Sequence, residues 1–328
     1  MKLTSLALLS VVAASAMAAP SWWEQWTLRS AQRVHDTLAP AAEDDLRLIQ
    51  LAADKEPVWM TERQRLRLLR DNINYMDITD AQDLGQQRAH LMNAKKPLPE
   101  SLRQQRRYHK YVDNLSTENM EAALTKFTSF HTRYYKSETG EESAKWLYKT
   151  ISDLIEESDT SDVSVRRFQH NGWKQFSIIA RFDGQDDTLA NEPVIIGAHQ
   201  DSVNMWLPMW GRSPGADDDG SGSITILEVF RALVQKGFRP HRPVEFHWYS
   251  GEEAGLLGSQ AVAKEYEAKK VDVIAMIQND MTGYVGSKFK ESYGIVIDFV
   301  DPELTDFVVK LAREYGDIPV RETKCGYA

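Results

Sequence analysis

Three things are scarce in this chain, and each scarcity narrows what it can be. There is one cysteine in 328 residues, Cys325 near the end, so this thiol is either unpaired or separated from its partner. There is no excess of positive charge. The formal net charge is -9, and no Lys/Arg run interleaved with aromatics supplies the electrostatic footprint of a nucleic-acid binder. Long apolar runs are missing too: residues 6–14 form an apolar stretch of about nine residues, against the roughly 20 that a membrane-crossing helix needs.

What is present suits a globular protein. A hydrophobic content of 42% over this length provides the core of one large domain plus an appendage. The opening "MKLTSLALLSVVAASAMA" sets Lys2 before the apolar stretch and small residues at Ala16 and Ala18. That is the pattern of a secretory signal over residues 1–18, and it places the mature protein outside the cell. Asn114-Leu115-Ser116 is a glycan acceptor sequon consistent with that route.

Residues 19–92 read as a small helical unit. Thr61 and Gln64 stand at capping-box spacing, and Leu66 and Leu69 follow on one face. Residues 93–114, with two prolines, Lys95-Lys96 and Arg106-Arg107, read as an exposed linker. From residue 117 onward helices and strands alternate: helices at 117–135 and 141–156, then a hairpin "SDVSVRRFQH"/"WKQFSIIARFDG" turning at Asn171-Gly172. "PVIIGAH", "RPVEFHWYS", "VDVIAMIQND" and "YGIVIDFV" follow as strands, with helices "SGSITILEVFRALVQKG" and "GLLGSQAVAKEYEAKK" between the first three. The expected fold is α/β, a mostly parallel mixed sheet with helices on both faces, preceded by the helical unit. In such sheets ligands bind beyond the carboxyl ends of the strands.

Acidic residues collect at those ends. His199 and Asp201 follow the first strand of the alternating part, Glu252 and Glu253 follow "VEFHWYSG", and Asp280 follows "VIAMIQN". Between them "PGADDDGSG" sets Asp217, Asp218 and Asp219 in the turn that starts a helix. Taken singly, the aspartates could cap that helix and the glutamates could form an exposed turn. Converging together, they would repel one another unless cations held them. A histidine among carboxylates tilts the choice of ion to zinc, and a carboxylate shared by two metals is an established hydrolytic design. His247, inside "VEFHWYS", reads as a buried structural residue.

"GAHQDS", "PGADDDGSGS", "SGEEAGLLGS" and "QNDMTGY" resemble the successive motifs of the two-zinc leucine aminopeptidases, the secreted fungal enzymes and their bacterial relatives. The likeness runs from about residue 115 onward, and the segment before it resembles their propeptide. It implies a zinc exopeptidase fold over residues 93–328 and a propeptide over 19–92. It implies that His199 and Asp280 hold one zinc, that Glu253 serves the other and that Asp218 bridges both, with a cis peptide after Asp218. Asp201 then orients the His199 ring, and Glu252 is the general base. The implied protein is a monomer that removes N-terminal, leucine-like residues from peptides, with no nucleic-acid or membrane partner.

In the family the pattern continues past "CGYA" into a second cysteine and a histidine that completes the second zinc site. For the chain to Ala328 the resemblance implies a fold incomplete at its C-terminus, fewer than two zincs and little activity. Two other functions share such a fold: a single-zinc glutaminyl cyclase and a relative without catalysis. The triple aspartate followed by "GSG" argues against the cyclase.

Overall fold

The computed structural model describes residues 46–85, 97–102, 105–158, 160–285 and 290–327. The signal segment 1–18 and residues 19–45 of the expected propeptide lie outside them. Among the described residues no helix is long and apolar enough to cross a membrane.

The central sheet has five strands: β4 (Val163–Phe168), β5 (Ser177–Phe182), β6 (Val194–His199), β7 (Val244–Tyr249) and β8 (Ala275–Gln278). These follow three short N-terminal strands, β1 (Arg47–Gln50), β2 (Val58–Met60) and β3 (Met76–Asp77). The order in the sheet is β4-β5-β7-β6-β8. β7, β6 and β8 run parallel, whereas β4–β5 and β5–β7 are antiparallel. The sheet is therefore mixed, with β4, β7, β6 and β8 running in one direction and β5 against them. The Asn171-Gly172 turn, with Gly172 at φ 97°, reverses the chain between β4 and β5, and β5 then enters against β7.

Period-two alternation assigns the two faces. Ile178, Ala180, Phe182, Phe246 and Trp248 join one buried cluster. It is covered by α3 (Thr117–Ser129), α4 (Glu138–Ser158) and α5 (Gly222–Gln235), through Phe127, Leu147, Ile151, Ile226 and Phe230. Ile179, Ile195 and Tyr249 point to the other face and meet Val262 and Tyr266 of α6 (Leu257–Ala268). Helices thus cover both faces, as the alternating pattern implies. Each large apolar side chain buried this way contributes about 1.5–3 kcal/mol.

Three sequence expectations are corrected. The N-terminal unit is not purely helical, because β2-β1-β3 form an antiparallel sheet that stands, among the described residues, with the helix α1 (Glu62–Arg70), whose Thr61/Gln64 capping box is formed. Strands of two to four residues leave too little alternation to be seen. The expected linker contains α2 (Gln105–Val112), so Arg106-Arg107 lies within a helix. "YGIVIDFV" does form a strand, β9 (Tyr293–Val296), but it pairs in parallel with β10 (Val320–Thr323) across α7 (Pro302–Tyr315), in a separate two-stranded sheet.

Candidate metal centre

The parallel strands β6, β7 and β8 end side by side, and each delivers a ligand-type residue. His199 is the last residue of β6, Glu252 and Glu253 lie in the loop after β7, and Asp280 stands two residues beyond β8. The fourth contribution comes from a six-residue turn, Ala216–Ser221, that leads into α5. Its Asp218-Asp219 peptide is cis, at the position the resemblance implies.

The geometry converges on one ring nitrogen. His199 Nε2 lies 3.0 Å from Asp218 Oδ1, 3.4 Å from Asp280 Oδ2 and 3.7 Å from Glu252 Oε2. One ligand atom from each of His199, Asp218 and Asp280 falls within 4.8 Å of the other two. Glu253 stands outside that trio but shares its field, with Asp218 and Glu252 the acids acting most strongly on it.

Asp201 has other hydrogen-bond partners than the His199 ring expected of it. Its Oδ1 is 3.6 Å from His199 Nδ1, close to the ring yet beyond hydrogen-bond length, and Nδ1 has no hydrogen-bond partner. The fully buried carboxylate accepts instead from the backbone N–H groups of Glu252 at 3.0 Å and Glu253 at 3.2 Å. It ties the end of β6 to the loop carrying both glutamates.

Asp219, by sequence no more than a helix cap, is a linchpin. Its carboxylate accepts from the N–H of His199 (3.0 Å), Gly222 (2.8 Å) and Met281 (3.3 Å), which joins β6, α5 and the loop after β8. Asp217 similarly accepts from the N–H of Gly283 and Tyr284. The triple aspartate is visible in the sequence; the division of labour among its members is not. His247 is buried and bonded to Tyr249 Oη at 2.9 Å and Glu245 Oε2 at 3.0 Å, a structural residue as expected.

The site is short of positive charge. Burial pushes the Glu252 carboxyl up to about 8, with His199 opposing and Asp280 reinforcing the rise. Burial and neighbouring acids raise Glu253 well above the usual range and raise Asp280 as well. Burial alone would lower the His199 imidazole, but Glu252 and Asp280 beside it lift it well above its ordinary value. Acids crowded at neighbouring strand ends, with a buried imidazole aimed among them, are a donor set suited to divalent cations, and the histidine favours zinc over magnesium or calcium. The residues fit the metal that the sequence implies.

The sequence pattern of peptidase family M28 matches residues 177–324, a span that holds His199, Asp201, Asp218, Glu252, Glu253 and Asp280. Leucine aminopeptidase 1 of Neurospora crassa is 48% identical over 280 residues, covering 82% of this chain and 68% of that protein. The chain belongs to peptidase family M28. Leucine aminopeptidase 1 of Aspergillus niger is 44% identical, over 86% of this chain and 73% of its own length. Among solved structures, the Legionella pneumophila LapA aminopeptidase superposes on this M28 chain with a TM-score of 0.73 at 26% identity, covering 90% of this chain and 80% of that one. LapB from the same organism gives 0.71 at 27% identity, over 87% and 79%.

Proposed function

We propose that this M28 peptidase is a secreted, monomeric zinc metallo-aminopeptidase that releases N-terminal, leucine-like residues from peptides, and that residues 19–92 are its pro-segment. The observation that carries the hydrolytic part is the convergence of Asp218, Asp280 and Glu252 on His199 Nε2 at 3.0–3.7 Å. The exopeptidase action and the leucine preference are supported by the names of the fungal relatives.

His199, Asp218 and Asp280 would hold one ion, and Asp218 with Glu253 would serve the second. When bound, the ions polarise the scissile carbonyl and acidify the attacking water. Glu252 stands at the edge of the cluster with its side chain partly exposed, where an incoming peptide can reach it. Its carboxylate takes the proton of the water as the oxygen attacks the carbonyl carbon, and returns it to the leaving amine nitrogen as the C–N bond breaks. Asp201 holds the Glu252 backbone so that this carboxylate stays in reach.

The pro-segment reading is supported by where that unit docks. Asp77 N–H donates to Gly255 O at 3.0 Å, and Gln260 Nε2 donates to Asp77 O at 3.1 Å, both beside the Glu252-Glu253 loop. Arg65, Leu66 and Tyr75 line a small cavity together with Tyr135, Val203 and Glu253. The unit therefore packs beside Glu253 and the loop that carries it. Secretion rests on the first 18 residues; N-terminal sequencing of extracellular protein that still begins at Met1 would sink it.

Glu252→Gln tests the catalytic assignment. It should leave zinc content nearly intact and lower kcat on leucine p-nitroanilide by about 10² to 10⁴-fold, the usual contribution of a general base. Activity within a factor of ten of the parent would overturn the role.

A further inference from the structure

Arg133 is the conspicuous group that the reaction does not use. It lies between α3 and α4, is fully buried and carries a charge that no carboxylate meets within ion-pair distance among the described residues. Its fork is spent on main-chain carbonyls. Nε donates to Gln200 O at 2.8 Å, Nη2 to Gly215 O at 2.9 Å and Nη1 to Pro214 O, while the guanidinium carbon lies 4.2 Å over the Phe127 ring. Its own N–H donates to Ser202 Oγ at 3.1 Å. Burying a cation without a carboxylate partner is expensive, so something nearby must favour it.

Both ends of the fork reach ligand-bearing backbone. Gln200 sits between His199 and Asp201. Gly215 opens the turn that presents Asp218, and its carbonyl also accepts from Gly220 N–H at 3.0 Å, closing that turn. Gly215 has φ +47°, and a Cβ there would come 2.8 Å from Arg133 Nη2 and 2.5 Å from Asp218 O, so the close approach depends on glycine. Ser202 Oγ donates to Ser213 O at 2.9 Å, and Ser213 N–H to His131 O at 2.9 Å, in the same strap. The electrostatic complement is the acidic cluster itself: Asp201, Asp219, Glu253 and Asp218 are the acids whose field acts on the guanidinium.

Resting on the metal-centre reading above, we propose that Arg133 is a positioning residue for that centre. Its fork sets the separation between the His199–Asp201 segment and the Asp218 turn, and its fixed charge offsets part of the carboxylate repulsion whether or not metal is bound. A lysine can supply the charge but cannot reach three carbonyls in one plane.

The experiment compares the full chain with R133M and R133K, loading each with Co²⁺ in competition with a chelator and recording the visible cobalt spectrum, with circular dichroism as the check on folding. Expected are a loss of cobalt affinity on the order of 10 to 100-fold in R133M, the range for groups that orient metal ligands, partial recovery in R133K, and an altered cobalt spectrum in both. Folded R133M with parental affinity and an unchanged spectrum would overturn the proposal. Should R133M fail to fold, R133K decides: an altered spectrum supports positioning and a parental one refutes it. A parent chain that takes up no cobalt would instead overturn the metal-centre reading on which this rests.

Discussion

His170 gives the stability of this protein a pH dependence whose sign and window follow from its surroundings. The ring is 9% exposed, stacks on Trp173 at 4.6 Å between centroids, and has Nε2 2.7 Å from Ser177 Oγ. Nδ1 is buried without a hydrogen-bond partner, so a second ring proton would have no acceptor. Burial accordingly lowers the imidazole to about 4, against roughly 6.5 in an unfolded chain. The unfolded state therefore takes up the proton first as pH falls. The stability contribution is complete above about pH 6.5 and is lost progressively toward about pH 4. At pH 4.5 the difference in proton binding integrates to roughly 2.5 kcal/mol, and residual contact with water brings it to about 2. Ser177 Oγ also accepts from Ser250 N–H at 3.0 Å, two residues before Glu252, so the same protonation loosens the support of the catalytic loop. The assay is urea unfolding of the parent and His170→Gln at pH 7.5 and pH 4.5. The parent should lose about 2 kcal/mol more than the variant between the two. Glu245, held down to about 2 by His247, Tyr266 and Arg181 against the effect of burial, acts in the same direction and is common to both proteins. The raised acids of the metal centre act oppositely, but they too are common to both and cancel. Equal losses in parent and variant would refute the reasoning.

Gly258→Ala should lower both the thermal midpoint and kcat, with KM little changed. A Cβ there would lie 2.1 Å from Ser250 O and 2.9 Å from Ser250 N, so backbone just before Glu252 must move, at about 1–3 kcal/mol; a variant with parental melting and turnover contradicts this. Proteolytic release of residues up to 92 should raise hydrolysis of leucine p-nitroanilide, because Arg65, Leu66 and Tyr75 then leave the cavity beside Glu253. Equal rates before and after release would remove the blocking role.

Much of this protein is decided locally and is legible in the amino-acid sequence alone. Alternating "VIIGAH" and "VEFHWY" can bury both faces only inside a covered sheet, so the strands, the helices between them and the placing of His199, Glu252 and Asp280 at strand ends follow from side-chain periodicity. The Thr61 capping box is equally readable, since its two hydrogen bonds span three residues. What periodicity cannot carry is anything that depends on contacts between distant segments. β1, β2 and β3 are too short to show a pattern and exist through pairing with one another. β9 has the composition of a sheet strand, but its partner is β10 rather than β8. Within the triple aspartate, all three residues have identical chemistry. Only the fold turns Asp218 toward His199 and Asp219 toward three backbone donors from three elements. Arg133 carries no signal at all, because its acceptors are main-chain carbonyls 67 to 82 residues away in sequence. A carbonyl is present at every position of the chain, and only tertiary structure decides which ones a buried guanidinium will meet.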